Sequence, residues 1–228
     1  MRFSKVMFTV FCLALVPMIA GAAVINEIRI DQGGSDYNEY FELYGSPGES
    51  LDGLTYVVIG DGATGSGTVE TALDLTGYVI GADGYFLVTE DLWVVACEDA
   101  VDLTVLSNAL NFENSDNVTH LLVTGFTGAV ADDIDTDDDG VIDNPIWTGV
   151  VDCLALIETV GSGDLTYCDT TLGPDGTYVP AHAIRCGTFW KTGDFTFCAL
   201  DTPGMTNVDI CTVATEETSF GSLKSLYR

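Results

Sequence analysis

The stretch DIDTDDDGVID at positions 133–143 has the most chemically suggestive spacing in the chain, with six aspartates and one glycine. Its acidic side chains alternate, so several carboxylates can converge on one cation, and Gly140 permits the sharp turn that this requires. Oxygen ligands in this number favour Ca²⁺ over Mg²⁺, which keeps more of its water. The pattern predicts a calcium site formed by Asp135, Asp137, Asp139, the backbone carbonyl of Val141, and Asp143.

One position departs from the calcium loop of EF-hands. Ile146 stands where a bidentate Glu closes that loop, and no flanking helices are predicted. A closing ligand has to come from elsewhere, and Asp132, Asp133 and Asp152 are the nearest candidates. The loop resembles the Asp-rich calcium loops of dockerins and thrombospondin type 3 repeats, with an expected dissociation constant of roughly 10⁻⁴ to 10⁻³ M. Ile142 is expected to pack inward, and an unliganded acidic turn is the alternative.

Two other features of the sequence, a glycine pattern and the histidines, could indicate a binding or catalytic site, but their surroundings do not support one. Gly60, Gly62 and Gly65 match a dinucleotide-binding fingerprint, but the residues that follow do not predict the helix whose N-terminus would hold a pyrophosphate. A loop between strands explains these glycines better. The histidines are His120 and His182, and the apolar setting of His120 in VTHLLV is typical of a structural histidine. No catalytic residues are predicted, so we expect that the protein is not an enzyme.

The overall charge narrows the classes of partner. The 228 residues include 35 acidic and 7 basic side chains, giving a formal net charge of −28. Such a surface repels phosphate backbones, so no nucleic acid is expected as a partner. The acidic surface attracts cations, so it has either a cation-binding role or the simpler role of keeping the protein soluble. With 47% hydrophobic residues the chain can bury one substantial core or at most two small ones, and one domain with long loops is expected.

The N-terminus has the pattern of a secretory signal peptide. Arg2 and Lys5 precede an apolar run that begins at Val6, and residues 20–22, Ala-Gly-Ala, provide a cleavage site. The run is shorter than the ~20 residues of a membrane-spanning helix, although an uncleaved anchor is the alternative. We expect residues 1–22 to be removed, leaving a secreted, extracellular or cell-surface protein without a transmembrane segment.

Cysteine usage agrees with export. Loss of Cys12 with the signal leaves an even number of cysteines, which predicts up to three disulfides in any of 15 connectivities. We expect one hairpin-like bridge, Cys186–Cys198. The chain contains no C-x-x-C pair, so a zinc site has little support. The six remaining cysteines are Cys97, Cys153, Cys168, Cys186, Cys198 and Cys211.

The segments on either side of the acidic residues are predicted to be β-strands throughout. Short runs rich in Val, Ile, Thr, Tyr and Phe, such as LTYVVIG and GYFLVTE, are separated by clusters of Gly, Asp, Asn and Ser. In VINEIRI, alternation places Ile28 and Ile30 on one face, and Ile25, Glu27 and Arg29 on the other. No crossover helices are predicted, which favours an antiparallel β-sandwich with long loops.

The order of these segments resembles the lamin-tail domain as it occurs in exported bacterial proteins. VINEIRI and NEYFELY correspond to the opening strands of that family, and SLDGLTYVVIGDG, NFENSDNVTHLLV, VVDCLALIE and DTPGMTN continue the likeness. The resemblance covers most of residues 24–207. It implies an immunoglobulin-like β-sandwich without catalytic residues, of a kind attached to nucleases, other hydrolases or surface proteins, with proposed roles in adhesion, anchoring or ligand contact.

The resulting domain plan has three parts. A lamin-tail-like sandwich is expected over residues 23–207, with the calcium loop as an insertion at about 131–147, hereafter the acidic loop. Residues 208–228 form a C-terminal tail that is expected to include a short amphipathic helix.

The predicted function is that of an exported structural or binding module, stabilised by calcium, with an unknown protein or surface ligand as its partner. The alternative is a secreted hydrolase or nuclease, or an accessory subunit of one. A patch of exposed aromatic residues would favour the accessory subunit, and Trp147, Trp190 and Tyr178 are the candidates.

Overall fold

The computed structural model describes residues 22–34, 37–62, 65–91, 97, 101–110, 112–160 and 165–212. The predicted signal peptide, except for its last residue, and residues 213–228 of the predicted tail lie outside the described residues. No helix within the described ranges is long and apolar enough to cross a membrane.

Two sheets pack face to face in the described part of the chain. The elements are β1 (Val24–Arg29), β2 (Tyr40–Tyr44), β3 (Leu54–Gly62), β4 (Gly65–Asp74), β5 (Tyr85–Glu90), β6 (Leu103–Val105), β7 (Val118–Thr124), β8 (Gly149–Leu156), β9 (Thr171–Leu172), β10 (His182–Cys186), β11 (Phe189–Thr192) and α1 (Val208–Cys211). The strand orders of the two sheets are β11-β10-β1-β2-β5-β6 and β4-β3-β7-β8-β9. The predicted all-β sandwich is therefore confirmed, while the closer likeness to immunoglobulin domains stays a prediction.

Two edge pairs depart from the antiparallel pattern. The pairs β5–β6 and β8–β9 are parallel, whereas the other strand pairs among the described residues are antiparallel. A two-residue hairpin forces an antiparallel pair, but a longer connection can return the chain to the same end of the sheet. Both parallel pairs follow such long connections, and β6 and β9 are very short.

The inner core fills the space between the sheets. Phe41 of β2 and Tyr56 of β3 are fully buried there, with stacked rings whose centroids lie 3.6 Å apart. Because side chains alternate along a strand, the neighbours of Tyr56 point to the opposite face of the second sheet. On that face lies a second buried group, here called the outer cluster, which consists of Val57, Ile59, Val69, Leu121, Val123 and Ile134.

A bulge in β1 changes the predicted alternation. The pairing of β1 with β2 shifts register between Ile25 and Glu27. One extra residue at this point brings Ile25 into the inner core together with Ile28 and Ile30, so the prediction that Ile25 lies on the opposite face is wrong. Glu27 and Arg29 are on the other face and are fully buried as well.

Three disulfides connect the described cysteines. They join Cys97 to Cys198, Cys153 to Cys168, and Cys186 to Cys211. The expected Cys186–Cys198 bridge is therefore wrong. In the hairpin of β10 and β11, Phe189 pairs with Cys186. Cys198 follows the end of β11 and is therefore not the cross-strand neighbour of Cys186.

Candidate metal site

The acidic loop connects β7 to β8 and lies along the free edge of β4. The N–H of Ala131 donates to the carbonyl of Val69 at 2.7 Å, and the N–H of Val69 donates to the carbonyl of Asp132 at 2.8 Å. The N–H of Ile134 donates to the carbonyl of Gly67 at 2.9 Å. The loop therefore satisfies backbone groups that an edge strand would otherwise expose.

Apolar side chains hold the loop on the sheet. Ile134 is fully buried in the outer cluster, while Ile142 and Ile146 are partly buried against it. The inward packing predicted for Ile142 is confirmed. Ile146, which stands where an EF-hand has its closing Glu, is an anchor of the loop, and Gly128 leaves room for its Cδ1 atom.

Three of the predicted ligands come together. Asp135, Asp137 and Asp143 each place one carboxylate oxygen so that all three oxygens lie within 4.8 Å of one another. Oxygens that share one Ca²⁺ at roughly 2.3–2.6 Å are at most about 5 Å apart, so this spacing suits a common cation. Asp135 is fully buried, whereas Asp137 and Asp143 are exposed.

The carboxylate of Asp135 is fixed by three donors. Its Oδ1 accepts the N–H of Asp139 at 3.2 Å, and its Oδ2 accepts the N–H of Gly140 and the hydroxyl of Tyr167, both at 2.8 Å. The ion pairs among the described residues all lie elsewhere. A buried carboxylate without a cationic partner is costly, and a metal ion would offset that cost.

Repulsion within the loop is visible at Asp137. The charge of Asp139, followed by a small loss of hydration and the charges of Asp143 and Asp135, raises the pKa of Asp137. Burial and the hydrogen bond to Asp135 also raise the pKa of Tyr167, so this phenol stays protonated and remains a donor. A cation among these groups would relieve the repulsion between carboxylates.

The remaining predicted ligands have other contacts. Oδ1 of Asp139 accepts the N–H of Val141 at 2.8 Å, and the side chain of Val141 is exposed. Oδ2 of Asp143, which belongs to the three-carboxylate group, accepts the N–H of Thr136 at 3.0 Å and its hydroxyl at 2.6 Å. The structure therefore brings together Asp135, Asp137 and Asp143, and it does not bring Asp139 into the same group.

The three candidates for a closing ligand also have hydrogen bonds or an ion pair with other groups. Asp132 accepts the N–H of Ala129, and Asp133 accepts the N–H of Asp135, so both stabilise turns of the loop. Asp152 forms an ion pair with Arg185. None of these three carboxylates joins the three-carboxylate group of the described residues.

The glycines that mimic a dinucleotide fingerprint make room for this loop. Gly65 and Gly67 both have positive φ, 120° and 85°. A Cβ at Gly65 would collide with the carboxylate of Asp138, and one at Gly67 would lie 2.8 Å from the Cβ of Asp135. A strand, not a helix, follows Gly65, so the arrangement lacks the helix N-terminus that binds a pyrophosphate.

A second cluster of ionisable residues, missed by the sequence analysis, lies on the outer side of the first sheet. Arg29 donates to Asp201 through Nε at 2.5 Å and Nη2 at 2.7 Å, and His182 Nε2 lies 2.7 Å from Oε1 of Glu27. The hydroxyl of Tyr40 donates to Glu27 and, at 3.0 Å, to Asp201. All five side chains are fully or almost fully buried. We call this group the buried ionic cluster.

The buried ionic cluster holds the C-terminal segment on the sheet. Thr202 donates its N–H and its hydroxyl to the two oxygens of Glu27, at 2.9 and 2.8 Å, and Cys198 donates its N–H to Asp201 at 2.9 Å. Glu27, His182 and Asp201 could together hold a metal. However, the guanidinium of Arg29 already contacts both oxygens of Asp201, which makes a structural role the better explanation.

The histidines and tryptophans have structural positions. His120 is fully buried beside the hydroxyl of Tyr56, 2.9 Å from its Nδ1, and burial lowers its pKa to about 3. His120 is therefore buried as expected of a structural histidine, but it is not fully satisfied, since its Nε2 has no hydrogen-bond partner among the described residues. Trp147 packs against the outer cluster and Trp190 against the inner core, whereas Tyr178 is 72% exposed.

Comparison with known proteins adds no relative. No protein-family model matches the chain, and neither does any curated protein or solved structure. The lamin-tail resemblance therefore rests on the motifs quoted above and stays a prediction. One structural fact bears on those motifs: VINEIRI, NEYFELY and DTPGMTN contribute Glu27, Tyr40 and Asp201 to the buried ionic cluster.

Proposed function

We propose that the protein is an exported, non-catalytic β-sandwich module that calcium stabilises and that has a structural or binding role outside the cell. The observation that carries the proposal is the setting of Asp135. Its fully buried carboxylate lies with those of Asp137 and Asp143 in one group, with no cationic side chain in ion-pair contact among the described residues. A divalent cation would provide the missing positive charge.

The cation would act as a clamp on the acidic loop. By neutralising carboxylates that repel one another, it would hold the segment that covers the edge of β4 and contributes Ile134 to the outer cluster. An ion that binds only the folded state stabilises that state by mass action. At a calcium concentration ten times the dissociation constant, the gain is about 1.4 kcal/mol.

The disulfides bear on export, and the two histidines bear on one type of catalysis. Three disulfides among the described residues suit an oxidising, extracellular environment. His120 and His182 are fully buried, so neither can reach a substrate in solution as a general base. The burial of both histidines favours a structural or binding module over a hydrolase that uses a histidine as its general base.

A calcium titration tests the proposal. The protein from residue 23 onward is titrated calorimetrically with Ca²⁺ and with Mg²⁺, and the titration is repeated for Asp137→Asn and Asp138→Asn. Both variants remove one exposed negative charge from the same loop, but only Asp137 belongs to the three-carboxylate group. We expect Ca²⁺ to bind more tightly than Mg²⁺, and Asp137→Asn to weaken calcium binding about tenfold while Asp138→Asn has a much smaller effect.

Two results would contradict the calcium site. One is the absence of calcium binding at millimolar concentration by a protein whose circular dichroism shows a folded β-structure. The other is an equal loss of affinity in the two variants, which would indicate diffuse attraction to the acidic surface and no defined site.

A further inference from the structure

A groove of about 490 Å³ lies at one side of the first sheet and shares no lining residue with the acidic loop. It is formed by the chain just after β1, by the segment that precedes β7, by the turn that precedes β10, and by the segment after β11. Its volume falls within the range of roughly 300–1,000 Å³ that is typical of ligand pockets. Val179 and Ala181, both buried, line it together with Tyr178, Phe195, Asp31 and Asp175.

Two large aromatic rings in this groove are exposed. Tyr178 is 72% and Phe195 is 51% exposed, so neither ring is needed to fill the core. The backbone beneath each ring is nevertheless fixed. Asp175 and Tyr178 exchange backbone hydrogen bonds at 2.9 and 3.1 Å, and the N–H of Thr196 donates to the carboxylate of Asp194 at 2.7 Å. Two exposed rings that line the same groove form an apolar patch, and such patches mark interaction sites more often than singly exposed rings do.

The charge of the groove selects the sign of its ligand. Asp31 and Asp175 line it, and no basic residue does. The basic side chains of the described residues are all engaged elsewhere: Arg29 with Asp201, Arg185 with Asp152 and Lys191 with the carbonyl of Ile210. With a net charge of −28 on the whole chain, the groove attracts cations and repels anions.

We propose that this groove binds an arginine side chain of a protein partner. The planar guanidinium can stack on an aromatic ring while it donates paired hydrogen bonds to a carboxylate, and this groove offers both kinds of group. A lysine has the charge without the planar, paired donors. The proposal rests on the binding role proposed above and is independent of the calcium site.

Short peptides provide the probe. An N-acetylated, C-amidated Gly-Arg-Gly-Arg-Gly peptide is titrated into the protein from residue 23 onward, beside matched peptides that carry lysine or citrulline, which has the shape of arginine without its charge. Binding is measured by calorimetry and by two-dimensional NMR, with calcium and with a chelator. We expect the arginine peptide to bind more tightly than the lysine peptide and the citrulline peptide not to bind.

Matched variants locate the binding. Tyr178→Ala and Asp175→Asn should each weaken the arginine peptide about threefold to tenfold. Phe189→Ala, which removes another half-exposed ring, and Asp209→Asn, which removes another exposed charge, should change it less than twofold. All four positions are at the surface, and circular dichroism checks that each variant is folded.

The outcomes separate the two proposals. Equal losses in the groove and control variants, or equal binding of the citrulline peptide, would overturn the arginine site. An intact calcium titration beside absent arginine binding would overturn the groove alone. Absent calcium binding beside arginine binding that depends on Tyr178 would overturn only the calcium site.

Discussion

Tyr167 and Asp135 form the contact that joins the acidic loop to the body of the sandwich. The hydroxyl of Tyr167 donates to Oδ2 of Asp135 at 2.8 Å, and its neighbour Cys168 is bonded to Cys153 of β8. The disulfide therefore holds the donor beside the sheet against which the loop packs. This arrangement orients the one buried carboxylate of the proposed site before any ion binds.

Replacement of that tyrosine tests the contact. Tyr167→Phe keeps the ring against the outer cluster but removes the hydrogen bond to a buried carboxylate, which costs about 1–3 kcal/mol. We expect the free energy of unfolding, measured with urea in a chelator, to fall by this amount. Tyr178→Phe, which alters an exposed tyrosine, is the control, and an equal effect in both variants would contradict the role of the contact.

Glu70 gives the protein a pH dependence near neutrality. Burial, together with the negative charge of Glu113, raises the pKa of Glu70 from 4.5 to about 7. Its carboxylate accepts the N–H of Glu113 at 3.2 Å. Since the folded state raises this pKa, the group contributes stability that is fully present below pH 4.5 and is lost as the pH rises through about 7.

A neutral replacement isolates that contribution. Glu70→Gln can still accept from Glu113 but does not ionise, so the variant should gain stability over the unmutated protein as the pH rises from about 5 to about 8. After a discount for partial exposure, the difference should reach about 1–2 kcal/mol. Urea unfolding at both pH values measures it, and parallel pH profiles for the two proteins would refute the assignment.

At the scale of elements, β4 and the acidic loop depend on each other. The loop completes the edge of the sheet, and the glycines of β4 leave room for its carboxylates. Edge strands with free backbone groups promote association between molecules. The loop therefore protects an edge in addition to presenting carboxylates to an ion.

A pair of glycine substitutions measures the fit between strand and loop. Gly67 and Gly77 have similar φ, 85° and 92°, but a Cβ would meet Asp135 only at Gly67, since nothing lies within 4 Å of one at Gly77. Both Gly→Ala variants carry the backbone strain of about 1–3 kcal/mol. We expect Gly67→Ala to lower the free energy of unfolding, measured by thermal unfolding, by at least about 1 kcal/mol more than Gly77→Ala does. Equal costs would mean that the loop does not press on the strand.

The elements show how far the sequence could predict this structure. Local patterns, namely alternation, turn residues and Asp spacing, predict the strands and the three converging carboxylates. The bulge in β1 arises from its pairing with β2, and the disulfide partner of Cys186 depends on the register of the β10–β11 hairpin. Neither feature has a signal in the local sequence. The role of Gly67 depends on Asp135, which lies far away in the sequence and near it in space.

At the scale of the whole molecule, the buried ionic cluster joins the two ends of the described chain. Arg29 near the N-terminus and Asp201 near the C-terminus are 172 residues apart in sequence. The only sequence signal was a pair of charged residues, Glu27 and Arg29, in an otherwise apolar strand, and it did not identify their partners. The Cys97–Cys198 disulfide, with a separation of 101 residues, reinforces the same C-terminal segment.

Loss of one charge from the buried ionic cluster should greatly reduce the stability of the folded protein. Asp201→Asn leaves the guanidinium of Arg29 buried without its counter-ion, which costs about 3–5 kcal/mol. Asp209→Asn removes an exposed charge in the same segment and should change stability by less than about 0.5 kcal/mol. Chemical denaturation gives both values, and limited proteolysis should show earlier cleavage after residue 193 in Asp201→Asn. A small effect at Asp201 would contradict the structural role of the cluster.

Thermal unfolding of the protein from residue 23 onward measures whether calcium stabilises the folded domain through the acidic loop. We predict that calcium at about ten times its dissociation constant raises the melting temperature by about 3–6 °C over the value in chelator. The double variant Asp137→Asn/Asp143→Asn should lose this increase, and Mg²⁺ should produce a smaller one. An identical melting temperature in calcium and in chelator for the unmutated protein would show that calcium does not stabilise the folded domain.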